Sequence, residues 1–141
     1  MTRDVLVVRT GTANLASMLA GLRRVGASPE LTEDPGAVRS AERVVLPGVG
    51  AFAAAMQQLD AAGLASALAE RARAGRATLA VCLGLQLLGD ASEESPGARG
   101  LGVLSGTARR FPESVRVPQM GWNRVEPDAG CRFLTARRND R

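Results

Sequence analysis

The chain of 141 residues contains no histidine, no lysine and no tyrosine, and its aromatic content is 3%. Without lysine, all eighteen basic residues are arginines. Without histidine, the side chain most often used as a general base near neutral pH is missing. No apolar run approaches the roughly 20 residues needed to cross a bilayer, which argues against a membrane protein. The N-terminal MTRDVLVVRTG has four apolar residues in a row before Arg9 and no small-residue cleavage site, so it does not read as a signal peptide. A cytoplasmic location is expected. Cysteine is scarce as well. Cys82 and Cys131 lie far apart, and in a reducing compartment a structural disulfide between them is not expected.

What is present is the composition of a soluble globular domain, with 45% hydrophobic and 23% charged residues. The length suits one domain, residues 1–141, with a single core. The net charge of +4 is carried by arginines scattered among acids through helices and loops. That pattern reads as a solvated surface, so neither nucleic acid nor a membrane is expected as a partner.

Along the chain, strand and helix signals alternate. DVLVV (residues 4–8) is a β-branched apolar run, as in a strand buried on both faces. Asn14 is placed to cap a helix in which Leu15, Met18, Leu19 and Leu22 share one face and which Gly26 ends. A second strand over residues 28–32 is followed by DPGAVRSA, with an Asp cap and Pro at the first helical position. RVVL (43–46) is a third strand, residues 51–73 are helical with a break near Gly63, and 78–81 form a fourth strand that runs into Cys82 and a helix from Leu83. Four such alternations predict an α/β fold, a parallel sheet with helices on both faces. After Ser95 the pattern changes: SPGARGLG is a loop, and LGVLSGTARRF, VRVPQMGWN and RVEPD read as short strands.

Cys82 sits where the fourth strand turns into a helix, at the carboxyl edge of the sheet where sites in such folds form. A nucleophile on such a turn needs small residues two positions either side, and Ala80 and Gly84 meet that need. The helix N-terminus favours the thiolate over the thiol. The alternative is a small buried hydrophobe, the commonest role of a free cysteine. PGVG (47–50) follows the third strand, and glycines on both sides of Val49 leave its N–H free to turn outward. With the N–H of Leu83 it could stabilise an oxyanion, or it could be a turn that merely needs glycine.

CLGLQLL (82–88), preceded by PGVGAF and followed by SEE and then VPQMGWN, resembles the class I glutamine amidotransferases, and within them the glutaminase subunits of imidazole glycerol phosphate synthases. The resemblance runs from about residue 4 to Leu134. It implies a flavodoxin-like sheet. Cys82 would attack the side-chain amide of glutamine, Val49 and Leu83 would supply oxyanion N–H groups, Gly48 and Gly50 would free the loop, and Gln86 would help hold the substrate. It also implies a heterodimer with a cyclase subunit, a (β/α)8 barrel that receives the ammonia for histidine biosynthesis. Asn14 and Trp122 match positions near that interface; a helix cap and a core aromatic are their alternative roles. No metal and no cofactor are expected.

The chain departs from the family pattern at Arg9-Thr10-Gly11, at Ala13 before Asn14, at Ala80 and at Gln119. The family's His-x-Glu pair has no counterpart, so the chain alone is expected to be inactive, and the polar end TARRNDR reads as a truncated or frame-shifted terminus that leaves apolar surface exposed. The competing expectations are a catalytically dead, truncated domain that only binds the cyclase, or another class I amidotransferase.

Overall fold

The computed structural model describes residues 3–11 and 14–131, so the polar end TARRNDR lies outside the described residues. Two compact units are present, Met1–Arg110 and Phe111–Arg141.

The first unit is built on β1 (Arg3–Val8), β2 (Ala27–Thr32), β3 (Val44–Leu46) and β4 (Thr78–Ala80), all parallel and in the order β2-β1-β3-β4. Alternation along these strands divides the apolar side chains between two cores. Val5, Val7 and Val45 face one side, where α1 (Leu15–Arg24) lays Leu15, Met18, Leu19 and Leu22 across them. Val8, Val44 and Leu46 face the other side, against α2 (Pro35–Ser40), α3 (Phe52–Ala61), α4 (Leu64–Arg73) and α5 (Leu83–Leu87). Helices therefore cover both faces, as the alternating pattern predicts. The second core is the larger. Phe52, Leu59, Leu64, Leu68 and Leu87 are fully buried in it, each contributing about 1.5–3 kcal/mol of transfer free energy.

Local signals place the helix ends. Asn14 Oδ1 accepts the Ser17 N–H at 3.4 Å, and Asp34 Oδ1 accepts the Gly36 N–H at 2.8 Å with Pro35 at the first helical position. Gly63 separates α3 from α4 at φ 68°, which a side chain would resist. At the edge of the sheet, Thr32 O accepts from Arg9 N–H at 3.0 Å, and the same strand carries Pro29 with its ring buried.

One arginine contradicts the solvated-surface reading. Arg71 is 1% exposed, and it donates through Nε to Thr78 Oγ1 at 2.9 Å, through one terminal nitrogen to Val38 O and to Ala41 O, and through the other to Ala77 O at 2.8 Å. It ties the end of α2 to the start of β4. Burial lowers the pKa of this guanidinium, and the charge of Arg76 adds to that.

A second short sheet, β5 (Ala91–Ser92) paired in parallel with β6 (Thr107–Ala108), follows α5. The expectation of further strands in VRVPQMGWN and RVEPD is not met: no strand lies beyond Ala108 among the described residues. Val115, Val117, Met120, Trp122 and Val125 are exposed, and an apolar run without a neighbouring strand cannot complete its backbone hydrogen bonds as a sheet.

Candidate active site

β4 stops at Ala80, Val81 N–H still reaches Leu46 O at 3.0 Å, and α5 begins at Leu83. The chain must turn from strand to helix at residue 82. Cys82 does so at φ 56° and ψ −119°, the one positive φ outside glycine among the described residues. Such a conformation is worth about 1–3 kcal/mol of strain and persists only where its surroundings impose it. Here the Gly84 N–H donates to Val81 O at 2.9 Å and the Leu85 N–H to Cys82 O at 3.0 Å, closing the turn from both sides. Cys82 is exposed, so the buried-hydrophobe alternative does not hold.

Two glycines let the turn sit against its neighbours. A β-carbon on Gly84 would lie 2.1 Å from Leu46 O, and one on Gly48 would lie 2.8 Å from Gly84 N and 3.0 Å from Leu83 Cβ. The loop 47–50 is thus packed on the first residues of α5. Sequence reasoning assigned Gly48 and Gly50 the same purpose, and the structure separates them. Gly50 supplies a positive φ of 90°, whereas Gly48 permits a close approach. Between them Val49 is exposed, while Leu83 is buried.

α5 has only five residues, so its end offers the local N–H groups of a first turn rather than the field of a long helix. Gln86 is exposed one turn beyond Cys82 and lines a cavity of about 530 Å³ with Glu93, Glu94, Arg109 and Arg110. Neither Cys82 nor Val49 lines that cavity. The pairing of β5 with β6 forms its wall: Glu93 Oε2 accepts the Arg110 N–H at 3.0 Å. Asn14 caps α1, at the far end of the loop after β1. Trp122 lies in the second unit and is exposed. Among the described residues, no group of three or more histidine, cysteine, aspartate or glutamate side chains is placed to hold a metal ion.

Two residues that sequence reasoning passed over belong to this region. Glu94 Oε1 accepts the Phe52 N–H at 2.9 Å, and Ser95 Oγ accepts the Ala53 N–H at 3.2 Å. They cap α3 from 42 residues away, because Ala51 at its N-cap has no side chain able to do so. The SEE motif contained one of them, but nothing local in the sequence pairs it with α3.

Residues 14–117 match the model of the CobB/CobQ-like glutamine amidotransferase domain. The chain is 45% identical over 132 residues to the imidazole glycerol phosphate synthase subunit HisH of Moorella thermoacetica, covering 93% of this chain and 63% of that protein. It is 46% identical over 123 residues to the HisH subunit of Symbiobacterium thermophilum, covering 87% and 58%. It is 43% identical over 124 residues to the chloroplastic imidazole glycerol phosphate synthase hisHF of Arabidopsis thaliana, covering 86% and 21%. The chain spans about three fifths of the length of the HisH relatives it matches. In fold it is similar to a crystal structure of a glutamine amidotransferase, with a TM-score of 0.63 at 18% identity over 74% of this chain and 56% of that one. A flavodoxin-like parallel sheet, a strained cysteine on the turn after its fourth strand and the match over residues 14–117 together identify the chain as a member of the glutamine amidotransferase family.

Proposed function

We propose that the chain is the glutaminase part of an imidazole glycerol phosphate synthase, hydrolysing glutamine to glutamate and ammonia that passes to a cyclase subunit in histidine biosynthesis. The observation that carries the reading is the backbone of Cys82, forced to φ 56° on an exposed turn against a glycine loop. Strain of this kind is retained where it aims a reacting group. Identity of 43–46% to the three relatives above directs it to this branch of the family.

In this reading the Cys82 thiolate attacks the side-chain amide carbon of glutamine. The sulfur–carbon bond forms as the carbonyl electrons move onto oxygen, and the N–H groups of Val49 and Leu83 stabilise that oxyanion. Collapse expels ammonia and leaves a thioester that water hydrolyses. Gln86 holds the substrate, Gly48 and Gly50 shape the loop, and Asn14 and Trp122 face a (β/α)8 cyclase in a cytoplasmic heterodimer. None of the 141 residues is a histidine. These residues therefore account for attack and charge stabilisation, and not for proton delivery to the departing nitrogen.

The test is a chloromethyl ketone built on the glutamine side chain, followed by peptide mapping. Cys82 is expected to be labelled ahead of Cys131, glutamine to slow the labelling and asparagine to leave it unchanged, with Cys82→Ala as the control. Labelling of Cys82 that glutamine does not slow would overturn the proposal.

A further inference from the structure

We infer that Glu94 and Ser95 are positioning residues for the oxyanion loop, acting through the first turn of α3. The inference rests on the glutaminase reading of Cys82 and concerns how the loop carrying Val49 is held.

The first four N–H groups of a helix have no partner within it. In α3 two of these are taken by side chains from the segment that follows the Cys82 turn, Phe52 N–H by Glu94 Oε1 at 2.9 Å and Ala53 N–H by Ser95 Oγ at 3.2 Å. The Phe52 side chain is fully buried, so this turn is anchored in the core as well. A carboxylate there also faces the positive end of a ten-residue helix.

Gly50 lies only two residues before Phe52. The loop is therefore held at its upstream side by the contact of Gly48 with Leu83 and Gly84, and at its downstream side by Glu94 and Ser95. Val49 is between the two clamps. Both clamps come from the stretch that starts at Cys82, which ties the loop carrying Val49 to the segment that carries the nucleophile. Oxyanion donors act only within about 2.7–3.1 Å of the developing charge. Release of the first turn of α3 would carry the Val49 N–H out of that range.

The measurement is the ratio of two rates of Cys82 alkylation, by the glutamine-based chloromethyl ketone and by iodoacetamide. Each reagent forms a sulfur–carbon bond as halide leaves and the thiol proton passes to buffer. The ketone oxygen takes up negative charge when sulfur adds to it before displacement, and iodoacetamide places no such charge on oxygen. Glu94→Ala is expected to lower the ratio about tenfold or more. Glu94→Gln keeps an acceptor oxygen and is expected to restore the ratio to within about twofold of the natural protein. Ser95→Ala, the milder change and the fallback should Glu94→Ala not fold, is expected to lower it less.

An unchanged ratio in Glu94→Ala, or an equal loss in Glu94→Gln, would overturn the inference; the second result assigns the effect to the charge. If the natural protein shows no glutamine-dependent labelling, the glutaminase reading fails separately. The amide resonances then decide: Glu94→Ala must shift Val49 and Gly50 as well as Phe52, and a shift confined to Phe52 and its helix refutes a role in holding the loop.

Discussion

Alanine at position 84 tests whether the Cys82 turn is held by close packing. A β-carbon at Gly84 would stand 2.1 Å from Leu46 O and 2.9 Å from Leu46 C, both backbone atoms of β3. A carbon–oxygen contact settles at about 3.3 Å or more, so α5 and β3 must separate by roughly 1 Å. Neither side can yield by a rotamer change. Overpacking of this kind costs about 1–3 kcal/mol, and disturbing the Val81 N–H to Leu46 O bond adds about 1. A loss of about 2–4 kcal/mol would consume a large part of an ordinary domain's stability of about 5–15 kcal/mol. In urea, with a slope of about 2 kcal/mol per molar, the unfolding midpoint should fall by about 1–2 M. Gly21→Ala is the matched control, because its β-carbon meets nothing within 4 Å and lies inside α1. That change should raise stability by about 0.5–1 kcal/mol. A Gly84→Ala midpoint equal to that of the natural protein would refute the packing argument.

Arg71→Met keeps the apolar stem but withdraws the donors from Val38 O, Ala41 O, Ala77 O and Thr78 Oγ1, and should cost about 2–3 kcal/mol in denaturant unfolding. An unchanged midpoint would mean that those acceptors do not depend on it. At the surface, Arg39 Nε donates to Glu70 Oε2 at 2.7 Å, and that hydrogen bond holds the Glu70 carboxyl below its ordinary value. The unfolded chain therefore binds the proton at higher pH than the folded one. The contribution of the pair is fully present above the ordinary glutamate pKa of about 4.3 and is lost as pH falls through the lower folded value. Glu70→Gln should be slightly less stable than the natural protein near neutrality and converge with it in acid, and a gap that persists at about pH 2 would contradict this.

The framework of the fold was readable because its signals are local. Asn14, the Asp34–Pro35 pair and Gly63 each act on backbone within a few residues, and the alternation in residues 4–8 and 43–46 already divides the two cores. The Cys82 turn was readable for the same reason, since Gly84 and the abrupt end of β4 lie beside it. What escaped depends on distant partners. Arg71 looked like one more surface arginine until α2 and β4 closed over it. Glu94 meets Phe52 across 42 residues, and Gly48 is small because of Leu83 and Gly84 rather than because of its own φ. The strands expected after residue 111 failed in the opposite sense: Val115, Val117 and Val125 have the composition of strands but are exposed.

The proline in β2 bears on how the molecule keeps company with copies of itself. Thr32 O points inward to Arg9 N–H, and successive residues of a strand direct their backbone groups to opposite sides, so the position of Pro29 falls on the outer rim. Proline has no N–H to offer there. A strand arriving from another molecule would find the donor row interrupted at the middle of β2, with the Glu30 side chain exposed beside the gap. Such an edge resists templated growth of the sheet, the first step toward intermolecular β-aggregation. Among the described residues the opposite rim is β4, at Thr78, Leu79 and Ala80, which carries neither proline nor charge and is only three residues long. Among the described residues, edge protection is therefore chemical at β2, while β4 offers only its short length.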